Sequence, residues 1–499
     1  MSNLESLRVW MSENGLDVLI IPSNDPHFSE YVADHWKTRE WASGFTGSAG
    51  TAVITQQEAI VSVDSRYFLQ AENQLELEWE VLKQKVNHFP EHIMWIEERI
   101  KAHNVIGIDG RLVATGSLAR TKKRFKKHEV QVMAVGDPAR QIWLDRPPLP
   151  ARDIFHLAEQ FSGESAAQKL TRVRKEVDSP YLFTALDEIA WLLNLRGNDV
   201  ECNPVFYSWL ILEEDSGHLF CDTALNVAVS QHLKELNIEV RAYGALPDYL
   251  ATLENIYGDN SQVPASVSSQ VLLTFQLSPI PMLKALKNET EIDNIKSAML
   301  KDGKALGEFY SWLKKQESPT EFECAQMLNV CRSNQGDHIG PSFGSIVGSR
   351  GNGAIIHYEP TEKGCSKIEP VMLLIDSGGQ YLQGTTDITR TTCIGEATEE
   401  QKRHYTLVLK GVIGLSSAKF PKGIKGNQLE VLARQHLWQH GLNYGHGTGH
   451  GVGYLLNVHE GPQSFGTGAT AKSVALEPGM LLTIEPGLYV PDSHGIRIE

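Results

Sequence analysis

Cysteine is scarce in this 499-residue chain: there are six, at positions 202, 221, 324, 331, 365 and 393, and no two form a CxxC pair. Such scattered thiols build no disulfide framework and fit a reducing compartment. Long apolar runs are missing as well. Nothing approaches the ~18 consecutive apolar residues of a membrane span, so no membrane partner is expected. The start, "MSNLESLRVWMSENGLDVLIIPS", carries an acid at Glu5 with no apolar core ahead of it, so it does not read as a secretory leader. A cytoplasmic location is the expectation. Positive charge is in deficit, with 46 Lys and Arg against 61 Asp and Glu and a net charge of -15. That balance disfavours nucleic acid as a partner. Asn288, Glu289 and Thr290 match a glycosylation acceptor, but a cytoplasmic chain does not meet that machinery, and the match reads as coincidence.

What is present is an ordinary globular composition, 41% hydrophobic and 21% charged, over a length that suggests two to four domains. Residues 1–145 read as an α/β unit. "LESLRVWMSENG" has helical spacing and stops at Gly15, "LDVLIIPS" is a buried strand, and "TAVITQQEAIVSVDSRYFLQAENQL" gives two strands at a turn and then a helix. "FPEHIMWIEERIKAHN" reads as an amphipathic helix before the short strand "VIGIDG". The three prolines of "WLDRPPLPARD" mark a linker at 143–153. Residues 146–287 repeat the order of helix, apolar strand and hairpin-like pair, which suggests an old duplication too diverged to show as identity. A third unit, 288–499, opens with two amphipathic helices, the second preceded by Thr320 and Glu323 at capping-box spacing. Beyond Pro341 the texture turns to glycine-rich strands, including "SFGSIVGSRGNGAIIHYEP" and "VMLLIDSGGQYLQGTTDITRTTCIG".

The ionisable residues embedded in those strands form the candidate site. Asp376 closes the run "VMLLI", where an acid is costly unless paired or bound to metal. Asp387 lies eleven residues on, where a hairpin would bring it opposite. "GHGTGHGVGYLLNVHEGP", 445–462, contributes His446, His450 and His459, followed by Glu485 in "LLTIEPG" and Glu499 in "GIRIE". Taken singly, Asp376 or Glu485 reads as a turn acid, and a chain terminus such as Glu499 is usually frayed. Taken together, four carboxylates and an imidazole repel one another unless cations intervene. Two divalent ions ~3.5–4 Å apart would neutralise them and share bridging oxygens. Oxygen-rich ligation with one nitrogen and no thiolate favours Mn²⁺, Co²⁺ or Zn²⁺ in a working site. Two resemblances to nucleotide motifs fail. "GHGTGHGVG" lacks the strand-to-helix setting of GxGxxG, and "GTGATAKS" at 466–473 has Ala471 where a phosphate loop needs glycine. No organic cofactor is expected.

At this point the chain resembles the aminopeptidase P group of the pita-bread metallopeptidases. The matching stretches are "GAIIHYEP", "LLIDSGGQYLQGTTDITRT", "YGHGTGHGVGYLLNVHEGP", "LLTIEPGLY" and "GIRIE". "FTGSAGTAVIT", "DSRYF", "WLDRPPLP" and "LLNLRGNDVECNPVF" extend the likeness over nearly the whole length. The resemblance implies two creatinase-like α/β domains, 1–145 and 146–287, ahead of a pita-bread catalytic domain, 288–499. It implies Asp376, Asp387, His450, Glu485 and Glu499 as ligands of two metals, with Asp387 and Glu499 bridging. His357, His446 and His459 would attend the substrate, and Arg497, on the same strand face as Glu499, would brace the acids. His27 and Arg66 are candidate substrate contacts from the first domain. The implied reaction removes an N-terminal residue followed by proline. A water or hydroxide between the metals attacks, Glu485 transfers its proton and His459 stabilises the oxyanion. Mn²⁺ is the expected metal, with Zn²⁺ or Co²⁺ as alternatives, and a homodimer is expected.

Two rival functions follow from the same residues. A prolidase would cut only Xaa-Pro dipeptides, but two leading α/β units favour an enzyme that accepts longer peptides. A non-enzymatic interaction module on this scaffold would have lost ligands, and none is lost here. Members of this length class continue past the last glutamate into a strand and a small extension, so a catalytic domain shortened at its C-terminus is expected. A molecule ending at Glu499 would carry a terminal carboxylate beside that side chain.

Overall fold

Two six-stranded sheets organise the first 280 residues of the computed structural model, which describes residues 1–85, 90–466 and 474–499. From edge to edge the first runs Glu80–Lys83, Ala59–Val63, Thr51–Thr55, Val18–Pro22, Val105–Asp109 and Gln131–Val135. The second runs Ile238–Arg241, Gly217–Phe220, Trp209–Leu212, Tyr181–Phe183, Asn255–Gly258 and Leu272–Phe275. Counted along the chain within each sheet, both orders are 4-3-2-1-5-6. The pairs 1–2 and 2–3 are antiparallel, and 3–4, 1–5 and 5–6 parallel, in both. The repeated order read from the sequence is thus a repeated topology, down to strand direction.

Central strands are apolar because both faces are covered. Leu19 and Ile21 are fully buried, as are Leu210 and Ile211 of the second sheet. The helix expected over "FPEHIMWIEERIKAHN" is shorter, Glu91–Glu97. The chain turns after it and passes through His103 at a positive φ of 70° before entering the strand at Val105. Residues 111–135, unassigned by pattern, supply the helix Thr115–Phe125 and an edge strand.

The proline-rich stretch at 143–153 does not separate two independently packed bodies. Arg146 donates to the His35 carbonyl at 2.7 Å and to Asp137 at 2.5 Å. The two sheets are joined by backbone bonds, Thr115 N to Val263 O and Ala265 N to Val113 O, each 2.9 Å. Met1–His156, Glu164–Glu201 and Val205–Ile280 accordingly pack as one compact unit.

The second unit comprises Pro281–Glu499 with Leu157–Gly163 and Cys202–Pro204. Asn288 caps its long helix, Glu289–Leu313, accepting from Glu291 N at 2.9 Å and donating to Ser162 O at 2.9 Å. The glycosylation-like triplet is therefore a helix start. The capping box at Thr320 and Glu323 opens the next helix, Glu321–Ser333. Phe309, Leu313, Cys324 and Leu328 of this helix pair pack on Val347, Leu373, Ile375 and Ile388 of an antiparallel three-stranded sheet. A second helix pair, Glu399–Ser416 and Val431–Trp438, packs with Met372, Leu488 and Ile496. No helix among the described residues is long and apolar enough to cross a membrane. The phosphate-loop look-alike "GTGATAKS" lies, from 467 onward, outside the described residues.

Candidate active site

The strand Met372–Ser377 sets the site. Leu373 and Ile375 face the first helix pair, so alternation turns Asp376 to the opposite face. The register places Asp376 across from Thr389, not across from Asp387. Asp387 lies two residues before Thr389, the diagonal position on the same face, where cross-strand side chains still meet. Glu499 arrives from the segment beyond His494–Arg497. That strand lies along Ile388–Cys393 through Thr391 Oγ1 to Arg497 O at 2.8 Å and Glu499 N to Thr389 O at 3.3 Å. One oxygen each from Asp376, Asp387 and Glu499 falls within 4.8 Å of the others.

His450 and Glu485 come from neighbouring backbone. Thr483 N donates to His450 O at 2.8 Å, and Glu485 N to Thr448 O at 2.7 Å. His450 Nδ1 donates to Gly451 O at 2.8 Å, which fixes the tautomer and aims Nε2 inward. Nε2 stands 3.5 Å from Asp387 Oδ2 and 3.3 Å from Glu485 Oε1. Asp387 therefore belongs to both groups, the three acids on one side and His450 with Glu485 on the other.

The approach of these strands depends on the glycines beside His450. A Cβ on Gly449 would stand 2.0 Å from the Thr483 carbonyl oxygen, and one on Gly451 2.3 Å from that of Glu460. The glycines thus admit neighbouring backbone, rather than ions or substrate directly. Gly449→Ala is expected to cost about 1–3 kcal/mol by overpacking and to displace His450. Thermal unfolding and metal titration of the variant check both.

Electrostatics show a cluster that is incomplete without cations. Burial pushes Asp376 up to about 6, with Arg497 opposing and the neighbouring acids reinforcing. Burial, Asp387 and Glu485 push Glu499 well above the usual carboxylate range. Burial disfavours charge on both His450 and Glu485, but for His450 the hydrogen bonds and charges of Asp387 and Glu485 together outweigh it, and for Glu485 the hydrogen bond and charge of His450 do so with help from His446 and Arg497. The imidazole is raised well above its ordinary value and Glu485 is lowered to about 2. A proton on His450 does there what a cation would do. Asp376 Oδ1 and Glu499 Oε1 are buried without a hydrogen-bond partner. Orphaned carboxylate oxygens beside a pre-oriented imidazole fit borderline-hard divalent ions, so the residues present suit two metals.

Around this cluster the structure brings in three of the six other candidates, Arg497, His459 and His446. Arg497 clamps Asp376 Oδ2 through Nη2 at 2.6 Å and Nε at 3.2 Å. His459 stands edge-on to His450, ring centres 4.3 Å apart. His446 donates from Nδ1 to Gly447 O at 2.7 Å, leaving Nε2 to accept from Tyr489 Oη at 2.7 Å. Burial lowers it to about 4, so it is neutral. His357 is not in a strand. It follows the short 3₁₀ turn Arg350–Ala354, in a turn closed by Tyr358 N to Ile355 O. His27 and Arg66 lie in the first unit with internal partners. His27, 2% exposed, has Nδ1 on Thr184 O at 2.7 Å and Nε2 on Tyr243 Oη at 2.8 Å. Arg66 is bidentate on Asp64 at 2.9 and 2.8 Å. Both residues support the packing of that unit in this structure.

Sequence reasoning missed the groups that hold the site from behind. Tyr489 accepts from Arg497 Nη1 at 2.7 Å and so links His446 to the Asp376 clamp. Its place follows from the strand register: Gly487 pairs with Arg497, and Tyr489 follows two residues on, on the same face. Glu321, fully buried, accepts from Ser349 N at 2.7 Å, Ser366 N at 2.8 Å and Tyr358 Oη at 2.7 Å, tying down the segment that carries His357. Arg434, paired to Glu430 at 2.7 Å, grips the carbonyls of Tyr444 and His446 at 2.7 and 2.6 Å. Glu460 receives Lys284 at 2.9 Å and Lys287 at 2.5 Å beside His459.

Comparison with known proteins agrees with this geometry. Residues 293–499 match the model of metallopeptidase family M24, and residues 3–142 and 145–291 each match a creatinase/prolidase N-terminal domain. A probable Xaa-Pro aminopeptidase P of Neurospora crassa is 41% identical over 99% of this chain and 77% of its own length. Xaa-Pro aminopeptidase 1 of Dictyostelium discoideum is 39% identical over 99% of this chain and 83% of its own. The crystal structure of the Caenorhabditis elegans X-prolyl aminopeptidase, described as a cytosolic enzyme with a di-nuclear active site, superposes with a TM-score of 0.94. It has 33% identity and covers all of this chain and 87% of that one. The chain belongs to the aminopeptidase P group of the M24 metallopeptidases, with two creatinase-type domains ahead of the pita-bread catalytic domain.

Proposed function

We propose that this enzyme removes the first residue from peptides with proline second, using two divalent ions held by Asp376, Asp387, His450, Glu485 and Glu499. The observation that carries the proposal is the convergence of these five donors, with Asp387 common to both groups. When bound, the ions supply charge neutralisation, water activation and polarisation of the scissile carbonyl. Mn²⁺ suits the oxygen-rich donor set best, with Zn²⁺ or Co²⁺ as alternatives. Domain boundaries at 145/146 and 287/288, a cytoplasmic location and a homodimer complete the proposal. The similarity to Xaa-Pro aminopeptidases supports it.

The chain's own groups have distinct tasks. Glu485 Oε1 takes the proton of the attacking water and delivers it to the departing nitrogen. That delivery matters because a proline nitrogen carries no N–H and is a poor leaving group until protonated. His459 donates to the carbonyl oxygen as negative charge develops there. His357 holds the substrate backbone. His446, neutral and oriented by Tyr489, positions the proline side. Arg497 keeps one oxygen of Asp376 occupied and leaves the other for metal.

Incubation of the Mn²⁺-loaded enzyme with an Xaa-Pro dipeptide and an Xaa-Pro-Xaa-Xaa tetrapeptide tests the assignment. The expected result is release of the first residue from the tetrapeptide at a rate at least comparable with the dipeptide, and no cleavage when alanine replaces proline. Cleavage confined to the dipeptide would make the enzyme a prolidase instead.

A further inference from the structure

Behind the metal-binding hairpin lies an ion pair that the reaction itself does not use. Asp302, on the long helix, and Arg332, on the next, are both fully buried, with Arg332 Nε 2.6 Å from Asp302 Oδ1. Arg332 Nη1 is buried without a hydrogen-bond partner, and much of the pair's other capacity goes to the hairpin. Thr386 Oγ1 donates to Asp302 Oδ2 at 2.6 Å, and Tyr381 Oη donates to Oδ1 at 3.2 Å. Arg332 Nη2 donates to Ser377 Oγ at 3.0 Å. Ser377 directly follows Asp376, and Thr386 directly precedes Asp387. Alternation along extended backbone turns neighbours to opposite faces, so when the two acids face the metals, Ser377 and Thr386 face this pair.

We infer that the Asp302–Arg332 ion pair is a positioning device that sets the spacing of Asp376 and Asp387 for a two-metal site, an inference that rests on the metallopeptidase reading above. Two physical points support it. A fully buried ion pair contributes little net stability, because desolvation offsets the attraction, so stabilisation alone does not account for it. And two carboxylates held together repel before metal arrives, so the hairpin needs a restraint acting on both ends. Thr386 supplies a second link inside the hairpin, accepting from Gly379 N at 2.8 Å while Ser342 Oγ donates to its carbonyl at 2.8 Å. Gly378 lies so close to Thr386 O that a Cβ there would stand 2.0 Å away. Rotation at Thr386 therefore moves Asp387.

The test compares wild type with Thr386→Val, Thr386→Ser, Asp302→Asn and the combined Asp302→Asn/Thr386→Val, each titrated with Mn²⁺ by calorimetry and by electron paramagnetic resonance. Metal-free thermal unfolding is recorded alongside. Wild type should bind two ions with a spin-coupled spectrum; failure there refutes the two-metal reading itself and not only this inference. Thr386→Val should fold but melt lower without metal, since Asp302 and Gly379 N each lose a buried partner, and should weaken the second ion by about 10–100-fold, the range typical of groups that orient metal ligands. Its spectrum should be that of isolated Mn²⁺. Thr386→Ser should restore coupling. Asp302→Asn should act in the same direction and non-additively with Thr386→Val. If Asp302→Asn fails to fold, Thr386→Val decides alone. Two ions bound with wild-type affinity and coupling in folded Thr386→Val would overturn the inference, as would a lowered melting temperature with an unchanged isotherm.

Discussion

Glu485→Gln should retain the fold and lower kcat for Xaa-Pro peptides by about 10⁴-fold or more. Gln has nearly the shape of Glu, so contacts such as that of Thr483 Oγ1 at 3.4 Å can persist. What disappears is the negative charge that His450 reads at 3.3 Å and the site that accepts the water's proton. One metal donor and the general base are lost in a single substitution, which places the expected loss at or beyond the upper end of base removal alone. Initial rates at saturating and limiting substrate, with metal content by elemental analysis, separate the two effects. A variant that keeps both ions yet loses kcat isolates the proton-transfer role. A variant that retains near-wild-type turnover, or full activity in metal-free wild type, would remove Glu485 from the mechanism.

The proposed ligands were legible as a set rather than one by one. An acid closing "VMLLI" or a glutamate in "LLTIEPG" has no reason to sit among apolar residues unless something neutralises it. The register was not legible. Asp376 stands across from Thr389, and Asp387 reaches the cluster only diagonally, because the turn between them resets the count. The anchors behind the site were hidden for a different reason. Asp302, Glu321 and Arg332 lie on helices, where isolated charges ordinarily mean a solvated face. Asp302 nonetheless falls between Ala298 and Ala305 on the buried stripe of its helix, a signal that period counting on that helix would have raised. The duplication of the N-terminal sheets was visible only as an order of elements. Strand directions come from long-range pairing, which no local pattern encodes.

Lowering the pH should expel the metals well before the protein unfolds. In the metal-free site Glu499 and His450 are both raised well above their ordinary values, and Asp376 stands at about 6. Metal ligation needs all three deprotonated, so binding releases protons and weakens as pH falls. Each of these groups that is protonated before metal binds should add about a tenfold loss of apparent affinity per unit of pH. The stability of the metal-free protein should follow the opposite course. A carboxyl raised in the folded state stabilises fully below its ordinary value, and that contribution is lost as pH rises through the folded one. For Asp376 the window runs from 3.8 to about 6. His450, raised in the same sense, stabilises below 6.5 and loses that contribution as pH rises through its folded value. Glu485, lowered to about 2, stabilises above 4.5 and loses that contribution only under strong acid. Added Mn²⁺ should therefore raise the melting temperature most at alkaline pH, where it replaces the missing protons, and hardly at all near pH 5. Melting curves with and without Mn²⁺ across this range, with proton release measured by calorimetry in buffers of different ionisation enthalpy, check the sign. A stabilisation by Mn²⁺ that is independent of pH would mean that the ions bind elsewhere than at these three groups.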